Sequence, residues 1–175
     1  MEPQPLTTQN GPAANDAIGE LQAVRNKVKG TNINEQTLLA TDYLNHFNEI
    51  VMTLEMVPDM PDILDEAKEW QPKSYKDHFR DSTIADKDLA VEVYGHVPDK
   101  YRLPFEKTIA QIDRLIQSCI AKLEKDIARN DPELLRENAR MMSRTIQKLM
   151  DAAGAIIHGN TATLDQEEID ALIED

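Results

Sequence analysis

Three side chains of metal-ligand type share one predicted helix in the first third of the chain. Asp42, His46 and Glu49 recur at steps of four and three residues, which places two carboxylates and an imidazole on one helical face. Such a set could contribute to a metal centre in a helical bundle, but that centre usually takes matching ligands from other helices. The two long helices predicted further along contain no histidine before His158. We therefore expect no metal site and no cofactor of the protein's own.

Other classes of chemistry and of partner find little support in the composition. The single cysteine, Cys119, has no base beside it in sequence, cannot form an intramolecular disulfide, and fits a reducing cytoplasm. The net charge of −13 disfavours binding to nucleic acid. The sequence contains neither a Gly-rich phosphate loop nor an apolar run long enough to cross a membrane. We expect a cytoplasmic protein without nucleic-acid binding or membrane insertion.

The negative charge is concentrated at the end of the chain. The last 25 residues contain seven acidic residues and no lysine or arginine. Within them, residues 164–175 form an acidic amphipathic pattern, and Thr163 and Gln166 have the spacing of a capping box. A helix this short is marginal alone, so we expect it to be detached from the bundle and to order in a partner's groove. The alternative is that it packs back on its own bundle.

This segment resembles known peptides of bacterial chemotaxis. The sequence LDQEEIDALI at 164–173 resembles the L-S-Q-x-E-I-D-A-L-L segment by which FliM-family flagellar switch proteins capture the phosphorylated response regulator CheY. It differs at Asp165, which replaces Ser, and at Ile173, which replaces the last Leu. Chemotaxis phosphatases of the CheZ family end in a looser Q-x-x-V-D-x-L-L pattern, joined by a linker to a long helical hairpin. That pattern is matched by Gln166, Ile169, Asp170, Leu172 and Ile173.

The resemblance implies a cytoplasmic regulator of chemotaxis and flagellar motility that acts in two-component signalling. Its partner would be a CheY-like response regulator, bound through the C-terminal helix. Apolar side chains would enter a groove of the partner, and acidic ones would pair with basic residues around it. The implied binding residues are Leu164, Asp165, Gln166, Glu168, Ile169, Asp170, Leu172 and Ile173.

The CheZ resemblance also implies a catalytic pair, D-x-x-x-Q, whose spacing is matched by Asp113 and Gln117. In that family the amide orients a water towards the partner's aspartyl phosphate, the carboxylate engages the partner's lysine, and the partner supplies Mg²⁺. The surrounding AQIDRLIQ at 110–117 departs from the family's D-F-Q-D-L-T-G-Q-like stretch. A CheZ-like phosphatase is therefore the alternative function, and an oligomeric helical scaffold, for example a homodimer, is a further alternative.

The elements that must position these residues are predicted to be helical. Aromatic residues make up only 5% of the chain, which suits helices better than a β-sandwich. Apolar residues at steps of three and four run from Phe105 to Ile127 and from Leu135 to Ile156, with a short turn at 129–131 between them. The sequence thus predicts an all-α fold, in which an antiparallel helical hairpin forms part of a bundle.

The expected organisation has four parts. Residues 1–14 form a disordered tail, 15–158 the helical bundle, 159–163 a linker and 164–175 the partner-binding helix. Within the bundle, a first helix is predicted at 16–29, a second from an Asn34 cap to Pro58, a third from Pro104, and a fourth from an Asp131 cap to Gly159. The proline-interrupted stretch 58–103 shows only short helical candidates, at 61–70 and 84–95.

Overall fold

The computed structural model describes residues 11–174, apart from the side chain of Glu174. Within this range all regular structure is helical, except for one isolated antiparallel bridge between Ile33 and Ala40. The predicted all-α class is confirmed. The α-helices are α1 (Pro12–Val28), α2 (Asn45–Met56), α3 (Leu64–Glu69), α4 (Tyr75–Asp81), α5 (Lys87–Tyr94), α6 (Asp99–Ala128), α7 (Pro132–Ile157) and α8 (Gln166–Glu174), with short 3₁₀ helices at Thr41–Leu44 and Pro61–Ile63.

Helices α6 and α7 are the two longest, and they make the most extensive contact between any two described helices. The predicted cap of α7 is confirmed, because the Leu134 amide donates to Asp131 Oδ1 at 3.0 Å and Pro132 occupies the first turn. The predicted start of α6 at Pro104 is wrong, since that helix begins at Asp99. Pro104 lies within it, and the buried side chains of Tyr101 and Phe105 hold the first turns against the core.

The N-terminal boundaries also differ from the prediction. Residues 1–10 of the expected disordered tail lie outside the described residues, and α1 begins at Pro12 rather than at residue 16. Asn34 does not cap a helix. Its side chain instead accepts from the amides of Gln36 and Thr37, which closes a turn ahead of the buried Leu38, whose φ is 63°. Helix α2 therefore starts about ten residues later than predicted, at Asn45.

The proline-interrupted region packs an aromatic cluster onto the long helices. It contains α3, α4 and α5, of which α4 was not predicted. The Ser74 hydroxyl caps α4 by accepting from the Asp77 amide at 3.1 Å. Tyr75 and Phe79 on α4 are buried, and the ring of Tyr75 stacks on that of Tyr94 with centroids 4.7 Å apart. Tyr75 also lies edge-on to Phe105 of α6, so this region forms one wall of the core.

A single cluster of buried apolar side chains extends from Val24 on α1 to Ile169 on α8. The terminal helix therefore shares the core of the predicted 15–158 bundle. Between residues 11 and 174, no helix has the length and apolar character needed to cross a membrane.

Candidate functional site

The C-terminal segment forms helix α8, which is closed at its start by a reciprocal capping box. The Glu168 amide donates to Asp165 Oδ1 and the Asp165 amide donates to Glu168 Oε2, both at 2.8 Å. The capping pair is thus shifted by two residues from the predicted Thr163 and Gln166. An aspartate accepts the amide hydrogen bond as well as a threonine does, and the Glu168 carboxylate is a stronger acceptor than the amide of Gln166.

The apolar face of α8 packs on the long helices, so the expected detachment of this helix is wrong. Ile169 is only 2% exposed, and Leu164 and Ile173 pack partly buried against the core. The Gln111 side chain on α6 also donates from Nε2 to the carbonyl oxygen of Leu164 at 3.1 Å. The physical reason is that a nearby apolar surface on α7 is within reach of the short linker, and covering it removes both surfaces from water.

The docking of α8 depends on few groups. Full burial of one isoleucine contributes about 2 kcal/mol, and this gain must offset the cost of ordering the segment. A cleft of about 510 Å³ remains between α7 and α8, lined by Ala152 on one side and by Leu164 and Leu172 on the other.

The opposite face of α8 is polar and exposed. The Gln166 amide donates to Asp170 Oδ1 at 2.8 Å along this face. The structure thus separates the predicted binding residues by face. The exposed ones are Asp165, Gln166, Glu168 and Asp170, whereas Leu164, Leu172 and Ile173 are half-buried and Ile169 is buried.

The predicted catalytic pair has two different environments. Gln117 is exposed on α6, whereas Asp113 is half-buried beside Tyr43 at the edge of a cavity of about 300 Å³. Its Oδ1 atom is buried and has no hydrogen-bond partner among the described residues, and burial raises the pKa of Asp113 to about 6. The carboxylate therefore lies in an aromatic setting beside the bundle core, while the amide faces solvent.

The polar residue of α6 that does contact the terminal segment is Gln111. It was not predicted as a site residue, although it lies only two residues before Asp113 and is 5% exposed. The sequence did not indicate this contact. The apolar pattern of α6 does not show which face of the helix the distant C-terminal segment will cover.

The metal-ligand set at the start of the chain is not assembled into a centre. His46 stacks on Trp70 with ring centroids 5.0 Å apart, and burial lowers the pKa of His46 to about 4. In the part of the chain that the structure describes, no three or more His, Cys, Asp or Glu side chains are grouped to hold a metal ion. Cys119 is buried, and burial raises the pKa of its thiol to about 12, which leaves it protonated at neutral pH.

Comparison with known proteins gives no relative from which a role could be transferred. Neither a protein-family model, nor a curated protein, nor a solved structure matches this chain.

Proposed function

We propose that this protein is a cytoplasmic regulator of chemotaxis and motility that binds a CheY-like response regulator through helix α8. The observation that carries the proposal is that eight of the ten residues resembling the CheY-binding peptide lie in helix α8, which Asp165 caps behind a non-helical linker. The helix is short and exposes its acidic face. These are the properties of a segment that recognises a groove on another protein.

In the proposed complex, the apolar and the acidic face of α8 have different roles. The apolar side chains of Leu164, Ile169, Leu172 and Ile173 enter an apolar groove of the regulator. The acidic face steers the encounter towards basic residues around that groove, so association weakens as salt concentration rises. The linker then keeps the bound regulator close to the bundle and raises its effective concentration there.

The experiment is a binding measurement with the full-length protein and purified CheY-like regulators, in the unactivated form and activated with beryllofluoride. Leu172→Ala should weaken binding about tenfold, because Leu172 is proposed to anchor the helix in the regulator. Leu103→Ala is the matched control, since Leu103 is 56% exposed on α6. Equal affinity for the two variants, or no binding by the parent protein, contradicts the proposal.

The same proteins, with the regulator now phosphorylated, test the alternative that the protein is a CheZ-like phosphatase. That alternative requires Asp113 and Gln117 to act together on the regulator's aspartyl phosphate in the presence of the partner's Mg²⁺. It predicts faster phosphate release from the phosphorylated regulator, and loss of that acceleration in Gln117→Ala with binding retained. The scaffold alternative predicts a stable homodimer or larger assembly, which light scattering after gel filtration detects.

A further inference from the structure

Two contacts hold helix α8 on its own bundle through the groups that the proposed function assigns to the partner. Ile169 is 2% exposed, and α8, on which it lies, packs on α7. Gln111 holds the backbone at Leu164 by the 3.1 Å hydrogen bond from its Nε2. An isoleucine side chain buried on α7 cannot fill a groove of another protein at the same time.

We propose that the surface formed by α6 and α7 is a docking site for an acidic amphipathic helix, that α8 is its resident occupant, and that α8 leaves it to bind the regulator. This inference rests on the proposed function, which it extends by assigning the bundle a competing role. In the docked chain, Ile169 is not available to the regulator. Only the undocked chain presents all four apolar side chains, Leu164 and the three of α8, to the regulator.

The charge of α7 beside the docked helix suits an acidic occupant. Arg140, Arg144 and Lys148 recur every four residues along the exposed side of α7, in a chain whose net charge is −13. They line an open groove of about 1010 Å³ on α7 together with the acidic Glu133 and Glu137, and α8 borders this groove at Leu172. Lys148 also lines the cleft that Glu168 of α8 lines, which brings a basic side chain of α7 close to an acidic one of α8.

The linker permits the exchange. Helix α7 ends at Ile157, and residues 160–165 contain no helix. Gly159 has a φ of +103°, which turns the chain away from the axis of α7. Residues 159–165, fully extended, span roughly 23 Å, which exceeds the diameter of a helix with its side chains. Helix α8 can therefore leave α7 without any change in the bundle.

Competition of this kind lowers the apparent affinity for the regulator. The apparent Kd is the intrinsic Kd divided by the fraction of molecules that are undocked. A substitution that weakens docking without touching residues 160–175 must then tighten binding. A purely structural role for the same residues would leave binding unchanged or weaken it.

The test measures the affinity of the full chain for the activated regulator in two pairs of variants. Gln111→Ala removes the hydrogen bond to Leu164, and its control Gln22→Ala removes an exposed glutamine side chain on α1. Ala152→Glu places a carboxylate in the cleft that Glu168 also lines, and its control Ala121→Glu makes the same change at an exposed position on α6.

We expect the two docking variants to bind the regulator about three- to tenfold more tightly than the parent protein, and the two controls to bind as the parent does. Amide exchange across 164–173 in the free protein should be faster in the docking variants. A synthetic peptide of residues 160–175 provides the reference for a helix that has no bundle to dock on.

The outcomes separate the two ideas. If neither the peptide nor any full-length variant binds a regulator, the proposed function fails. If the peptide binds and amide exchange across 164–173 is faster in Gln111→Ala and Ala152→Glu but their affinity is unchanged, the competition is wrong and the proposed function stands. If exchange is not faster in either variant, these contacts do not hold α8 on the bundle and the inference also fails. Tighter binding in both docking variants, with unchanged controls, supports the inference.

Discussion

The imidazoles of His46 and His78 are half-buried against aromatic rings between α2 and α4. His46 stacks on Trp70, and His78 lies edge-on to Tyr43 with centroids 5.5 Å apart. The Nε2 atoms of both histidines are buried without a hydrogen-bond partner among the described residues. Burial is the main cause that lowers the pKa of each, to about 4 for His46, and Lys73 lowers both further. Both side chains are therefore neutral in the folded protein near pH 7.

This environment predicts a stability that declines in mild acid. Between pH 6.5 and about 4 the unfolded chain binds a proton at His46 that the folded chain does not, so the stability present above pH 6.5 is lost as the pH falls. Between pH 7.5 and 5, the free energy of unfolding of His46→Gln should fall by about 1 kcal/mol less than that of the parent protein, as measured by urea unfolding. An equal loss in both proteins would show that His46 does not titrate in this interval.

Asp113 contributes a pH dependence of the opposite sign. Its pKa is raised from 3.8 to about 6, so the folded chain binds the extra proton and stability falls as the pH rises through this interval. The two effects overlap between pH 4 and 6. Comparing His46→Gln with the parent at each pH cancels the contribution of Asp113, because both proteins retain that carboxyl group.

At the scale of the element, the start of α8 is fixed by Asp165 rather than by Thr163. Asp165→Ala should reduce the helicity of α8 and cost about 1 kcal/mol of local stability, because it leaves the Glu168 amide without its acceptor. Faster amide exchange at 166–173 is the measurement. Thr163→Ala is the control and should leave exchange unchanged. Faster exchange in the Thr163 variant alone would instead place the cap where the sequence predicted it.

The long helices show how far an element can be predicted from its own residues. The apolar steps of α6 and the Asp131-Pro132 start of α7 predict helices that the structure contains. Helix α4 was not predicted because it has only seven residues and follows a proline. A helical apolar period cannot be recognised over so short a segment. The Asn34 turn was missed because an asparagine that precedes apolar residues caps a turn as readily as a helix.

At the scale of the whole molecule, Phe105 joins the aromatic wall to the long helices. It is 1% exposed, and its ring lies 5.9 Å from that of Tyr43 and 6.0 Å from that of Tyr75. Phe105→Ala should destabilise the protein by about 3–4 kcal/mol in a single unfolding transition, because the core is one cluster. Leu103→Ala, two residues away and exposed, should change stability by less than about 0.5 kcal/mol. Calorimetry or urea unfolding measures both, and similar losses would contradict the assigned position of Phe105.

Some features of the candidate site are properties of the sequence alone, and others depend on the fold. The acidic amphipathic segment, its length and its resemblance to a CheY-binding peptide are properties of residues 164–173 alone. That α8 lies on its own bundle, with Gln111 bonded to Leu164, is visible only in the structure. The different environments of Asp113 and Gln117 likewise depend on Tyr43 and its neighbours, which come from another part of the chain.

The sequence alone predicted the all-α class, the two long helices, and the acidic amphipathic character of the segment that forms α8. These are properties of neighbouring residues, which periodicity and composition describe. The tertiary structure alone decided what each apolar face covers, which carboxyl group is buried, and that Ile169 packs inside its own molecule. These contacts join residues far apart in the chain. A local apolar pattern indicates that a helix face will be buried, but it does not show which surface will bury it.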